Sequence, residues 1–335
     1  MKIGEFNTLK DVFIIAEIGN NHEGDVKVAE KLIYQAAKSG ANAVKFQTII
    51  PEKLVSVKQK ERIKQLKKFE ITNQDYIRLK KVAENNGLIF LSSPFSVESV
   101  DFLDTLVPAF KISSSDNNYL QLIERVANKN KPIILSTGMS EINQILETTK
   151  FIKKLWVNKK KNPGLALLHC VSSYPTPEKF ANLKAINTLS KLGYVVGYSD
   201  HTIGIEAAVL SVGLGARIIE KHFTLSNNYS EFRDHKISAE PKELEELVNR
   251  VKQANILLGD EKKEILSLEK KTMKLSRRSV CAAYDLKAGR KLKNEDLICL
   301  RPAGGVEPKF EKKILGRKLL KNIKAGNKII TDFLE

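Results

Sequence analysis

The sequence predicts an α/β chain, a closed (β/α)₈ TIM-type barrel followed by a small β-rich domain. Three observations carry this. Short apolar, β-branched runs fit buried strands at Val12–Ile18, Ala43–Phe46, Leu88–Leu91, Ala109–Ile112, Ile133–Leu135, Leu165–Leu168, Tyr194–Gly197 and Ala216–Ile219. Segments of helical periodicity alternate with them, among them Ala29–Ser39 before Gly40, Asn73–Asn86 before Gly87, and Glu206–Gly213. Eight such units over roughly 220 residues fit a closed barrel better than an open sheet. An open doubly wound sheet should also carry a GxGxxG turn after its first strand, whereas this chain has Gly19-Asn20-Asn21-His22-Glu23-Gly24 there.

Pro241–Leu258 then reads as one long amphipathic helix closing the barrel, giving a first domain of residues 1–260. Charge dominates residues 261–277, which read as a linker. From 278 to 335 the pattern changes to short β-like runs broken by turns, as in Val280–Ala283, Leu297–Leu300 and Ile323-Lys324-Ala325-Gly326. A domain of that size is near the lower limit for independent folding.

The 335 residues are 42% hydrophobic and 28% charged, which excludes intrinsic disorder. No apolar run is long enough to cross a membrane, and the apolar run before Glu17 is too short for a signal peptide, so the expected location is cytoplasmic. Cys170, Cys281 and Cys299 have no paired spacing and read as buried apolar residues rather than a disulfide or zinc framework. The net charge of +17 comes mostly from lysines spread along helical faces such as Val57–Lys68, Lys153–Lys161 and Glu261–Lys274. Without clustering or a nucleic-acid motif they read as solvated surface, so no nucleic-acid partner is expected. Their field favours an anionic small substrate.

In a parallel barrel the site is built at the C-terminal ends of the strands. Every strand of this chain ends in polar residues: Glu17, Asn21 and His22; Lys45 and Gln47; Ser92 and Ser93; Lys111, Ser113 and Ser114; Ser136, Thr137 and Gly138; His169, Ser172, Ser173 and Tyr174; Ser199, Asp200 and His201; Glu220, Lys221 and His222. His201 and His222 close adjacent strands and can reach one divalent metal, with Asp200 and Glu220 beside them as partners for the ligands. Lys45 and Lys111 suit a phosphate and carboxylate cradle with Ser113, Ser114, Ser136 and Ser199, since two cations in one small cavity call for anions. The rival reading is a Schiff-base lysine that attacks a carbonyl.

The segments FIIAEIGNNHEGD, AVKFQT, FKISSSD, STGMSE, LLHCVSSYPTP, GYSDHT and IIEKHFT, in this order, resemble the sialic acid (N-acetylneuraminate) synthase family. The C-terminal part, through SRRSVCAAYDLKAGRKLKNEDLICLRP and ILGRKLLKNIKAGNKI, resembles that family's SAF (β-clip, antifreeze-like) domain. The resemblance implies condensation of phosphoenolpyruvate with an N-acetylated hexosamine such as N-acetylmannosamine, giving a nine-carbon 2-keto acid and phosphate. N,N'-diacetyllegionaminate and pseudaminate synthases are the alternative branches, and a Schiff-base pyruvate aldolase is a more distant one. It also implies His201 and His222 as ligands of a divalent metal, Mn²⁺ first and Mg²⁺ or Co²⁺ next. Lys45, Lys111, Ser114, Ser136 and Ser199 match positions that hold phosphoenolpyruvate. Glu17, Gln47, Tyr174 and Asp234 match positions near the acceptor sugar and the reacting centre, with Glu17 placed to orient or deprotonate water. Arg301 matches the arginine that reaches the sugar's N-acetyl group across a domain-swapped homodimer. Ser172 stands where some members carry Asn, and the loop before Asp234 lacks the Gly-Pro often found there.

Overall fold

The computed structural model describes all 335 residues, and they divide after Gly259 into two compact units. The first holds eight parallel strands: β1 Phe13–Gly19, β2 Ala43–Thr48, β3 Ile89–Pro94, β4 Phe110–Ile112, β5 Ile133–Ser136, β6 Leu165–Cys170, β7 Val195–Asp200 and β8 Ile218–His222. They pair in the order β3-β2-β1-β8-β7-β6-β5-β4, and β3 and β4 lie side by side without a hydrogen-bonded ladder. This is the expected barrel, and all eight strands fall where the apolar runs put them.

Successive strand residues point to opposite faces, so each strand sends one set of side chains inward and the other toward the helices. The inward set begins apolar. Phe13, Ile15, Ala43, Leu91, Ala109, Ile134, Ala166, Leu168 and Ile218 form a fully buried plug. Ile3, from a short hairpin pairing Lys2–Ile3 with Phe6–Asn7, closes it from below. Each Phe, Ile or Leu side chain among them removed from water contributes roughly 1.5–3 kcal/mol. Two residues further along the same inward rows the chemistry changes to Glu17, Lys45, Ser93, Lys111, Ser136, Cys170, Ser199 and Glu220. The plug therefore serves as the floor of a polar chamber.

Helix termini follow local chemistry. Asp25 caps Val26–Lys38 by accepting from the amides of Lys27 and Val28, and Thr72 with Asp75 forms a capping box for Asn73–Asn85. Pro241 opens the last helix at its first turn, where its missing N–H has no role.

The second unit, Asp260–Glu335, pairs β9 Ser279–Ala282 with β10 Leu297–Leu300 in antiparallel register. Its core is Val280, Ala282, Leu286, Leu292, Ile314, Leu319, Ile323, Ile329 and Leu334. Most of the other β-like runs make isolated bridges or turns. The stretch 261–277, expected as a linker, contains a helix at Glu269–Ser276 and belongs to this second unit. Of the cysteines, Cys299 is only half buried, packing with Leu297 at the margin of this core. No helix of the chain is long and apolar enough to cross a membrane.

Candidate active site

A cavity of about 410 Å³ opens above the polar chamber at the C-terminal ends of the strands. Glu17, Lys45, Gln47, Lys111, Ser114, Ser136, Tyr174, Ser199, His201, His222 and Asp234 all line it. The strand register explains why. Glu17 pairs with Lys45 across β1 and β2, Gln47 with Ser93 across β2 and β3, and Glu220 with Ser199 across β8 and β7. Arg301 lies in the second unit with an exposed side chain.

Two carboxylates already neutralise the two buried lysines. Lys45 Nζ is 2.8 Å from Glu17 Oε2 and 3.9 Å from Glu220 Oε1, and Lys111 Nζ is 3.2 Å from Glu220 Oε1. Gln47 Nε2 donates to Glu17 Oε1 at 2.9 Å, and the Ser199 hydroxyl donates to Glu220 at 3.2 Å. The expectation that these cations require a bound anion is thereby corrected, since Glu17 and Glu220 supply the counter-charge. Each ammonium nevertheless has three donors, so it can face an incoming anion while holding its carboxylate.

The environment separates the four groups. Burial pushes the Glu17 carboxyl up, and Glu220 pushes it further, against the pull of Lys45. Burial acts the same way on Glu220, but Lys111 and Lys45 outweigh it and hold that carboxyl below the ordinary range. Burial disfavours the Lys45 ammonium, yet Glu17 and Glu220 more than offset this and raise it. For Lys111 burial prevails, and the ammonium sits below the usual lysine value. Two carboxyls in one chamber are thus driven apart, the pattern of groups given different proton duties.

On the facing wall, Ser114 Oγ accepts from the Gly138 amide at 3.1 Å. The hydroxyls of Ser136 and Ser172 are buried without any partner. A buried hydroxyl left unpaired is costly, so this pair marks a place where a polar ligand belongs. A Cβ at Gly138 would sit 2.6 Å from Ser172 Oγ and 2.8 Å from Ser114 Oγ, so a side chain there would displace these hydroxyls.

Of the five histidines only His201 and His222 line the cavity, with ring centroids 5.4 Å apart. His201 Nδ1 donates to the Val171 carbonyl at 2.8 Å, which leaves Nε2 as its lone-pair nitrogen. His222 Nδ1 is buried with no hydrogen-bond partner, and burial lowers this imidazole to about 4, so the ring is neutral at physiological pH. Two imidazoles on neighbouring strands fit a divalent ion as two of its ligands. No third His, Cys, Asp or Glu joins them in a three-residue group.

Several sequence expectations change. Asp200 and Glu220 do not hydrogen-bond the two histidines. Asp200 faces the helices, where it pairs with Lys221 at 3.0 Å and caps Thr202. His169 also faces outward, onto the Ala181 carbonyl. Ser113 sits at the rim, bonded to Asp116 and Ser115. Conversely, Glu220 and Cys170 are part of the chamber, with Cys170 Sγ 3.7 Å from His201 Nδ1. Once the register fixes which parity points inward, the alternation through Ile218–Glu220–His222 and Leu168–Cys170 selects them.

Paired buried charges beside unpaired hydroxyls, at the carboxyl ends of parallel strands, define a (β/α)₈-barrel protein with a polar ligand site. The chain belongs to the NeuB family. That family's model matches residues 32–263, and the SAF domain model matches residues 277–335. It is 37% identical to the N,N'-diacetyllegionaminic acid synthase of Legionella pneumophila, over 96% of this chain and 94% of that protein. It is 38% identical to a pseudaminic acid synthase of Campylobacter jejuni, over 98% of both chains. The N-acetylneuraminic acid synthetase of Leptospira borgpetersenii, solved with citrate, shares the fold with a TM-score of 0.76 at 37% identity, over 82% of this chain and 94% of that one.

Proposed function

We propose that this chain is a nonulosonic acid synthase, condensing phosphoenolpyruvate with the open-chain form of an N-acetylated amino sugar. The observation that carries the reading is the polar chamber. Lys45 and Lys111 flank Glu17 and Glu220, opposite the unpaired hydroxyls of Ser136 and Ser172. N-acetylmannosamine and the diacetamido-trideoxy hexoses are the acceptor candidates, and the similarity to legionaminic and pseudaminic acid synthases supports the second group.

In the proposed reaction the carbon–carbon bond forms between C3 of phosphoenolpyruvate and the sugar aldehyde carbon. Water adds at C2, and cleavage of the C2–O bond releases phosphate and leaves the 2-keto acid. Lys45 and Lys111 bind the carboxylate and phosphate, with Ser114, Ser136, Ser172 and Ser199 as hydroxyl partners. Charge that develops on those oxygens stays opposite fixed cations, so stabilisation requires little rearrangement. Glu17, raised by burial, is suited to take a proton from the water, since a carboxylate with an elevated pKa is a stronger base. Gln47 holds Glu17 in place, and Tyr174 and Asp234 face the acceptor. His201 and His222 would hold a divalent ion, with Mn²⁺ the first candidate and Mg²⁺ or Co²⁺ the alternatives. That ion would supply Lewis-acid polarisation of the aldehyde.

One observation favours a second reading: burial depresses the Lys111 ammonium, as a Schiff-base lysine requires. Glu220 at 3.2 Å keeps that lysine in an ion pair instead. Phosphate release from phosphoenolpyruvate, measured across a panel of acceptor sugars with and without EDTA, tests the proposal. Release dependent on acceptor and metal supports it. Borohydride trapping of pyruvate on Lys111, with no phosphate released, would replace it by the aldolase reading.

A further inference from the structure

The segment Asn21-His22-Glu23-Gly24 follows β1, contributes no side chain to the cavity lining, and yet packs against two of its walls, with Asn21 and His22 buried and Glu23 and Gly24 half-buried. One wall is the loop after β8, residues 223–240, which carries Phe232, Arg233 and Asp234 into the cavity. Glu23 Oε1 accepts from His235 Nε2 at 3.1 Å and from the Ser230 hydroxyl. His235 has no exposed surface, and its Nδ1 pairs with the Thr224 hydroxyl at 2.7 Å. Asn21 Nδ2 donates to the Phe223 carbonyl at 2.8 Å and to Ser238 Oγ at 2.9 Å, while Ser238 Oγ donates to the Asp234 carbonyl at 2.6 Å. The backbone on either side of Asp234 is thus fixed from the β1 side of the barrel.

The other wall is the helix Lys60–Lys68, which supplies Arg62 and Leu66 to the cavity, with Phe69 just beyond it. Gly24 lies against its end at a φ of +85°, and a Cβ there would stand 2.2 Å from the Lys68 carbonyl oxygen. The two walls also meet each other, with the Phe69 and Phe232 ring centroids 4.8 Å apart.

We infer that Asn21-His22-Glu23-Gly24 is a latch that sets the outer half of the site, and that Glu23 and His235 are positioning residues for the acceptor sugar. This rests on the proposed assignment of Asp234 to that sugar. Phosphoenolpyruvate binding depends on strand-end residues that the latch does not touch. Losing the latch therefore weakens one substrate and spares the other. A merely structural role would shift both.

The test compares Glu23→Ala with Glu23→Gln, which keeps an acceptor oxygen for His235 and Ser230. Steady-state kinetics for both substrates is paired with amide hydrogen exchange of residues 224–238 and a global unfolding midpoint. In Glu23→Ala the acceptor KM should rise about tenfold and the phosphoenolpyruvate KM less than about twofold. Exchange in 224–238 should rise about tenfold at an unchanged unfolding midpoint, with Glu23→Gln close to the parent in every measure. Wild-type exchange in 224–238, an unchanged acceptor KM, or equal rises in both KM values would overturn the latch. If the parent enzyme releases no phosphate with any acceptor, the functional reading fails by itself, and the exchange measurement alone decides whether the latch holds the loop.

Discussion

Lys111 shows how much a single side chain does in this chamber. It is buried, depressed by that burial, and paired with a carboxylate that Lys45 also serves at a longer distance. Lys111→Met should raise the phosphoenolpyruvate KM by on the order of a hundredfold and the acceptor KM far less, because a charge-assisted contact to an anion is lost. A change confined to the acceptor would reassign the lysine. His22 gives a stability prediction with a definite sign. Burial lowers it to about 4, while in the unfolded chain it titrates near 6.5. The unfolded state thus binds more protons between those values, and stability falls as the pH drops through that window. Between pH 7 and pH 5 this one group should account for on the order of 1–2 kcal/mol. Denaturant midpoints at the two pH values should differ less in His22→Gln than in the parent, and equal differences would refute this assignment. The residue types of the site were legible from strand ends, but their sorting into facing and non-facing members was not. That sorting needs the true register: Ser92, His169 and Asp200 share the outward parity, while Glu220 and Cys170 share the inward one. A run of apolar letters does not reveal which parity points inward.

Elements show the same division. Glu206–Gly213 and Pro241–Leu258 end where their sequence signals place them, because charge, proline and glycine act locally. The strands instead run up to three residues past their apolar stretches, as Leu165–Cys170 and Val195–Asp200 do. Polar side chains can continue a strand here because they face each other across the barrel, which is a tertiary fact absent from a local window. Likewise the helix Ile142–Asn158 begins well before the charged stretch that suggested it, and Glu269–Ser276 begins well after the start of the helical face expected at Glu261–Lys274. Two glycines separate fold from site. An alanine Cβ at Gly197, on an inward row of β7, would stand 2.3 Å from the Ile218 carbonyl oxygen and 2.5 Å from Leu168 Cδ2. Neither neighbour can swing away, so Gly197→Ala should destabilise the barrel by about 1–3 kcal/mol, seen as a lower denaturant midpoint. Gly138→Ala meets serine hydroxyls, which can rotate. It should leave the midpoint near the parent value and raise the phosphoenolpyruvate KM, since the added methyl occupies the hydroxyl cradle. Loss of stability without a change in that KM would remove Gly138 from the site.

For the whole molecule, the pattern of apolar runs and turns separates a long βα-repeating unit from a short β-rich one, and both exist as compact units. The core of the second unit is small, and Arg301 is an exposed guanidinium on that unit. The resemblance to sialic acid synthases implies that this arginine would donate to the acceptor's N-acetyl oxygen from a partner chain, and truncating such a charge-assisted donor should then weaken acceptor binding by about 2–3 kcal/mol. The arrangement in trans has a consequence that no arrangement in cis shares. When Arg301→Ala and His222→Ala chains are mixed, each mixed dimer carries one site with both defects and one with neither. After full subunit exchange about half the dimers are mixed, so activity at low acceptor concentration should approach about a quarter of the parent's, above both impaired starting proteins. If exchange is verified by mass and the mixture still does no better than its components, Arg301 serves its own chain or no site at all.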